Sequence, residues 1–169
     1  GADIDHLPDV PPSRSRAISV VLVTGAASQI GVYLLPMLAR RGDRVIALTR
    51  SLDRVRATPH FDHLQDCAQW RQADVSRDGG LPAGADTLIH IAPLALLPPL
   101  IPAFAACGGR RLVAFGTTSL YSKSASDDAR ERALAERVAD AESSVARLCA
   151  AHGIAWTVLR PTLVYGAGM

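Results

Sequence analysis

The stretch Val20-Val21-Leu22-Val23-Thr24-Gly25-Ala26-Ala27-Ser28-Gln29-Ile30-Gly31 limits the fold of this chain more than any other. An apolar run without polar alternation suits a strand covered on both faces of a parallel sheet. The run ends in a turn of small residues that opens at once into an amphipathic segment. This is the strand, phosphate loop and helix pattern of a dinucleotide-binding unit. A pyrophosphate must lie against backbone N–H groups at a helix N-terminus, where bulky side chains would hold it off. Gly25 and Gly31 remove a Cβ at the turn and where the helix packs on the strand. Ser28 stands where a third glycine is usual.

The periodicity that follows predicts a helix from about Gln29 to Arg41, with Ile30, Leu34, Leu35 and Leu38 on one side and a mild kink at Pro36. Gly42 ends it, and Arg44 to Thr49 forms the second strand of a right-handed βαβ unit. A carboxylate just after that strand would bond the adenosine ribose 2′-hydroxyl of NAD, whereas an arginine pairs with the 2′-phosphate of NADP. The residues there are Thr49, Arg50 and Ser51, with no acid. NADP is therefore the favoured cofactor and NAD the second choice.

Asp53 to Asp66 is polar and poorly periodic, and reads as an exposed helix or loop. His60, His63 and Cys67 could be drawn as a metal site. Zinc needs four ligands in a fixed arrangement, and the flanks offer no second cluster, so no metal is expected. Gln69 to Val75 reads as a third strand. Asp74 at its end can accept from an adenine amino group while Val75 packs on the ring, or it can simply cap a turn. After Gly79-Gly80, Asp86 to Pro93 forms a fourth strand whose His90 reads as a satisfied core histidine. The apolar stretch from Ile89 to Cys107 is interrupted by Pro93, Pro98, Pro99 and Pro102, which makes it a buried core segment rather than a membrane span.

A fifth strand, Arg110 to Phe115, delivers the hydroxyl cluster Thr117-Thr118-Ser119 with Tyr121 to the sheet edge where open α/β folds bind ligands. A long helix follows, about Asp128 to His152, with Leu134, Val138, Ala141, Val145, Leu148 and Cys149 as its apolar face. Gly153 closes it, and Ala155 to Leu159 is the sixth strand. The expected architecture is α/β: a Rossmann-like, doubly wound parallel sheet of six or seven strands with helices on both faces. One domain spans 18–169, preceded by a flexible arm over 1–17 that contains Pro8, Pro11 and Pro12 and no signal-peptide hydrophobic run.

Composition narrows the partners. Of the 169 residues, 18 are Lys or Arg and 16 Asp or Glu, a formal charge of +2 that gives no electrostatic case for nucleic acid or an anionic membrane. The three cysteines, Cys67, Cys107 and Cys149, are widely spaced, which argues against a disulfide framework and for a reducing, cytoplasmic setting.

Four stretches in order, Thr24-Gly25-x-x-Ser28-x-x-Gly31, Asp86-x-x-x-His90-x-Ala92, Thr117 to Tyr121, and Leu159-Arg160-Pro161 with Val164-Tyr165-Gly166, give the chain its resemblance to a known family. It resembles the N-terminal part of an extended or atypical short-chain dehydrogenase/reductase of the epimerase/dehydratase type. The resemblance implies that Gly25, Ser28, Gln29, Ile30 and Gly31 hold the pyrophosphate, next to Arg50 and Ser51, whose place after the second strand puts them at the adenosine ribose. It assigns Asp74 and Val75 to the adenine, Ala92 and Pro93 to the nearby ribose, and Pro161, Thr162 and Leu163 to the nicotinamide. Thr117 falls at the catalytic Ser/Thr position, where it would donate to a substrate oxygen. Tyr121 could act from the loop beside it.

The family's Tyr-x-x-x-Lys pair is the main departure. The register counted back from Arg160 puts Leu134 and Val138 at its two positions. A slipped register offers Asp128 and Arg132, and Tyr121 and Lys123 are only two apart, so neither restores a phenol beside an ammonium group. Extended members also continue past the Val-Tyr-Gly stretch into a substrate lobe, which is expected to be absent here. Two readings stay open. One is an enzyme acting on a small molecule such as a nucleotide sugar; the other is a non-catalytic dinucleotide-binding module with a structural or regulatory role. A homodimer through the long helices is a further expectation.

Overall fold

A computed structural model describes residues 18–77, 81–117 and 127–161. The expected arm over 1–17, the Gly79-Gly80 turn, Thr118 to Lys123 and Thr162 to Gly166 lie outside the described residues. Six strands form one sheet: β1 (Val20–Thr24), β2 (Arg44–Thr49), β3 (Gln69–Gln72), β4 (Thr87–His90), β5 (Arg111–Phe115) and β6 (Ala155–Leu159). All five ladders are parallel, in the order β3-β2-β1-β4-β5-β6. The chain winds outward from β1 to β3, then returns beside β1 to begin β4 and winds outward the other way. A crevice therefore opens between the C-terminal ends of β1 and β4.

The central strands β1, β2 and β4 are apolar and largely buried because both their faces are covered, whereas the outer strands β3 and β6 are mostly exposed. Val21 and Val23 point to the side of helix α1 (Gln29–Arg40), where they meet Val32, Leu35 and Leu38. Leu22, Leu88 and Leu112 point the other way, onto Ile101 and Phe104 of α3 (Leu100–Ala106) and Val145 and Cys149 of α4 (Ala129–His152). Between β2 and β3 lie a short helix α2 (Leu52–Ala57) and a 3-10 segment, Pro59–Cys67.

Ser28 caps α1, its hydroxyl accepting from the Gly31 N–H at 3.3 Å. The helix continues through Pro36 to Arg40, one residue short of the expected end. Its buried face is Gly31, Val32, Leu35 and Leu38, while Ile30 and Leu34 are only half-buried. The face is rotated because the first turn of α1 presses on the loop. A Cβ on Gly31 would stand 1.9 Å from the Ala26 carbonyl oxygen, so the helix approaches as only a glycine allows.

The polar segment is not simply exposed. Phe61 and Leu64 are buried against α1, and Val55 of α2 joins them. Their spacing of three is the 3-10 period, in which residues i and i+3 eclipse, and a search for the 3.6-residue period passes over it. The indole of Trp70 donates to the Leu64 carbonyl at 3.1 Å and ties the segment to β3.

Several ends also differ. β3 stops at Gln72 because Asp74 to Arg77 fold into a turn, with the Arg77 N–H donating to the Asp74 carbonyl at 2.9 Å. β4 covers only Thr87–His90; the Asp86 carboxylate instead accepts from the Val20 N–H at 3.1 Å and from the Thr87 hydroxyl at 2.7 Å. β5 begins at Arg111.

The proline-rich segment is a 3-10 turn, Leu94–Leu96, followed by α3, with Leu97, Leu100, Ile101 and Phe104 in the core. Among the described residues no helix is long and apolar enough to cross a membrane. In α4, Asp128 caps the start by accepting from the Arg130 N–H at 2.8 Å, and Gly153 at φ +66° closes the end. Leu134 does not join the buried face of this helix; it is 44% exposed, and its neighbour Ala135 takes the buried position.

Candidate functional site

A cavity of about 590 Å³ lies at the C-terminal edge of the sheet, across the crevice between β1 and β4. Its lining includes Gly25 and Ser28 from the first loop, Arg50 and Ser51 from the end of β2, Asp74 and Val75 from the end of β3, and Ala92 and Pro93 after β4. Eight residues proposed from sequence thus converge on one space, although they come from four separate parts of the chain.

The loop after β1 is built for close approach. Gly25 holds φ +69°, and its carbonyl accepts from the Ser28 N–H at 3.0 Å, which turns the chain into α1. A Cβ there would stand 2.6 Å from the Ala92 nitrogen, so two backbones touch at the floor of the cavity. The cradle that a Cβ would fill suits a group bound through main-chain N–H donors at a helix start. Gln29, Ile30 and Gly31 lie in the first turn of α1 and are not part of the cavity lining. The side-chain nitrogen of Gln29 is buried without a hydrogen-bond partner among the described residues.

On the far side, Thr49 pins the end of β2: its hydroxyl donates to the Ser51 carbonyl and accepts from the Ser51 N–H, both at 3.3 Å. The Ser51 hydroxyl caps α2 by accepting from the Arg54 N–H at 3.2 Å. Arg54 therefore lines the cavity along with Arg50. Sequence reasoning missed Arg54; the signal was a Ser three residues before an Arg, which puts that Arg in the first turn of a capped helix.

Asp74 acts as a turn cap. One carboxylate oxygen accepts from the Ser76 N–H at 3.0 Å and from the Ser76 hydroxyl at 2.5 Å. These two bonds, the hydroxyl's first, hold its carboxyl below the usual carboxylate range against an opposing cost of desolvation, with Arg77 and then Arg50 adding lesser contributions. It stays anionic and faces the cavity, so the cap is compatible with an adenine contact. Ala27, Ser76, Ile91 and Leu96 also line the cavity without having been singled out from sequence.

His90 is fully buried and satisfied on both nitrogens, lying 2.7 Å from the Thr24 hydroxyl through Nδ1 and 3.1 Å from the Pro93 carbonyl through Nε2. A carbonyl can only accept, so Nε2 carries the proton and Nδ1 accepts from Thr24. Burial pushes the imidazole pKa below the ordinary histidine range, partly offset by the bond to Pro93.

The catalytic expectations are not brought together in this way. Thr117, two residues beyond β5, is half-buried and outside the cavity lining, and Pro161 follows β6, also outside it. Tyr121, Thr162 and Leu163 lie outside the described residues. On α4, Leu134 is exposed and Val138 packs partly on the core. One turn further along, Glu142 forms an unanticipated ion pair with Arg160. The Arg160 Nε donates to both carboxylate oxygens, at 2.9 and 3.2 Å, and a second nitrogen of the guanidinium closes the fork. Glu142 also stands over Gly116, where a Cβ would be 3.0 Å from its oxygen. Among the described residues no cluster of His, Cys, Asp and Glu could hold a metal ion. Cys67, Cys107 and Cys149 are free thiols.

No protein-family model matches the sequence, and no curated protein sequence matches it either. Solved structures do resemble the fold. A wide-type short-chain dehydrogenase/reductase from Veillonella parvula in complex with NADP superposes with a TM-score of 0.63 at 17% identity, covering 90% of this chain and 73% of that one. A short chain dehydrogenase from Leptospira borgpetersenii with bound NAD+ gives 0.61 at 19% identity, over 88% and 72%. UDP-N-acetylglucosamine 4-epimerase from Bacillus cereus gives 0.63 at 18% identity, over 84% of this chain and 53% of its own. At these identities the likeness is one of fold: a Rossmann-like parallel sheet shared with dehydrogenase/reductase and epimerase structures.

Proposed function

We propose that this chain is the NADP-binding unit of a protein of the short-chain dehydrogenase/reductase kind. The observation that carries the reading is the cavity itself. At one end a glycine loop and a capped helix start offer main-chain donors to a pyrophosphate; at the other, Arg50, Ser51 and Arg54 face the space where a ribose phosphate would lie. Arg50 and Arg54 line this end of the cavity while Asp53 between them does not, and two guanidinium groups favour a 2′-phosphate over a bare 2′-hydroxyl. Asp74 and Val75 then meet the adenine, and Ala92 and Pro93 the adjoining ribose. When bound, the dinucleotide supplies a hydride acceptor or donor; the residues of this chain bind and orient it.

The substrate proposed for the enzyme reading is a small molecule, with nucleotide sugars as the first class to test. Thr117 donates to its reacting oxygen and Tyr121 assists from the loop, in a cytoplasmic protein that pairs through its long helices. The aliphatic residues Leu134 and Val138 favour a second reading, in which the bound dinucleotide is a structural or regulatory ligand and no hydride moves. Phenol titrates near pH 10 in the absence of a neighbouring cation, so a loop tyrosine alone makes a poor base at neutral pH.

Titration of the purified chain with NADPH, NADP+ and NADH, followed by nicotinamide fluorescence and calorimetry, tests the binding step. Saturable binding with NADPH at least about tenfold tighter than NADH, roughly 1.4 kcal/mol, is expected. Absence of saturable binding by any form would end the cofactor reading. Hydride exchange with nucleotide sugars separates the two functional readings, and Thr117→Val must lower any turnover found.

A further inference from the structure

The two walls of the cavity belong to different halves of the sheet, and a buried pair of polar side chains joins them where the β1–β4 ladder ends. Thr24 directly precedes the Gly25 turn, and His90 directly precedes Ile91, Ala92 and Pro93. The Thr24 carbonyl accepts from the Ile91 N–H at 2.9 Å, and its hydroxyl donates to His90 Nδ1 at 2.7 Å. On the other side of the ring, Nε2 donates to the Pro93 carbonyl at 3.1 Å. Among the described residues, Thr24 and His90 are the two polar side chains in the otherwise apolar buried core, both fully shielded from solvent. An apolar pair of like shape could serve a sheet core nearly as well, whereas orphaning either polar partner is costly. What sets this pair apart is that its bonds link the residue before Gly25 to the Pro93 carbonyl.

We infer that Thr24 and His90 are positioning residues for the dinucleotide site: the neutral Nε2–H imidazole is a strut that fixes the Ala92-Pro93 wall against the Gly25 loop. The inference rests on the reading of the cavity as a dinucleotide site. The strut works because each of its bonds has only one workable polarity. A carbonyl at Pro93 demands a donor at Nε2, and this leaves Nδ1 as an acceptor that only the Thr24 hydroxyl fills. Without that hydroxyl, Nδ1 is a buried acceptor with no donor, and the ring can recover a bond only by changing tautomer or turning, which releases Pro93. The wall then moves relative to the loop at the point where a Cβ on Gly25 would already stand only 2.6 Å from the Ala92 nitrogen. Small displacements in such a contact change how a bound ribose and pyrophosphate are met.

The test compares NADPH affinity and thermal unfolding for the wild-type chain, Thr24→Val, Thr24→Ser and a control, Val45→Ala, which removes packing from a buried β2 position outside the site. A long-range 1H–15N spectrum of the imidazoles accompanies it. The expected result is an Nε2–H tautomer for His90, an NADPH Kd raised about fivefold in Thr24→Val from the loss of one buried hydrogen bond, and a Kd within about twofold of wild type in Thr24→Ser. Val45→Ala lowers the unfolding temperature while leaving Kd unchanged. Folded Thr24→Val with wild-type affinity, an Nδ1–H tautomer, or equal Kd changes in Thr24→Val and Val45→Ala would each overturn the strut. A wild-type chain that binds no dinucleotide would overturn both the strut's role and the reading beneath it, whereas a binding wild type with an unaffected Thr24→Val removes the strut alone.

Discussion

The backbone of Ala92 lies against the backbone of Gly25, with the Ala92 nitrogen 2.6 Å from the point a Cβ on Gly25 would occupy. Gly25 also holds φ +69°, a conformation that L side chains rarely adopt. Gly25→Ala therefore meets both a torsional and a steric penalty. Urea denaturation is expected to show a loss of about 2 kcal/mol or more, and NADPH titration a loss of saturable binding. A variant as stable as wild type would mean that the two loops can separate.

Arg50 and Arg54 lie at the same end of the cavity, and both are exposed. Each single Arg→Ala change is expected to weaken NADPH by about fivefold and to leave NADH within about twofold, because only the 2′-phosphate is met by these groups. The NADPH Kd should rise with added salt, as screening acts on exposed charges, and the slope should flatten in the double variant. Equal losses for the two dinucleotides would place the arginines elsewhere along the ligand.

His90 makes stability depend on pH. Its folded-state pKa lies below the unfolded value of about 6.5, so the unfolded chain takes up its proton first as pH falls. The neutral form's contribution is fully present above pH about 6.5 and is lost as the pH drops from there through the lowered folded pKa. Urea midpoints measured between pH 7.5 and 5 should fall with a component that disappears in His90→Gln. A slope unchanged by that substitution would assign the loss to other groups.

The Glu142 and Arg160 pair joins α4 to the chain leaving β6, over Gly116. Arg160 is 41% exposed in its side chain and Glu142 13%, so water screens the pair in part. Glu142→Gln is expected to cost about 1 kcal/mol in urea unfolding, less at high salt. Arg160→Lys, which keeps the charge and loses the fork, should recover only part of the loss.

What was legible in the sequence was what a local pattern encodes. Val20 to Thr24 and Arg44 to Thr49 read directly as strands because both faces of a parallel sheet demand apolar residues without alternation, and Ala155 to Leu159, though mostly exposed at the sheet edge, because it carries β-branched and aromatic residues. Gly25, Gly42 and Gly153 marked the turns because each sits at positive φ. Arg50, Ser51 and Asp74 could be placed at the site because they follow strand ends. Pairings across long separations gave no such signal: Thr24 and His90 are 66 residues apart, and Glu142 and Arg160 are 18 apart. Phe61 and Leu64 were hidden by a period of three, and Leu134 looked like core because its spacing could not distinguish the buried stripe from the position beside it.

The seam between β1 and β4 also bears on how the protein comes apart. Each ladder is parallel, so no hairpin closes locally, and the site has no floor until residues around Ile91 have docked beside Thr24. A dinucleotide lying across that seam binds only the state in which both halves of the sheet are joined. By mass action it adds about 2.7 kcal/mol at a hundredfold excess over its Kd. The ligand would then act as a clasp between two βαβ halves, and its removal would expose the seam to proteases before the outer strands.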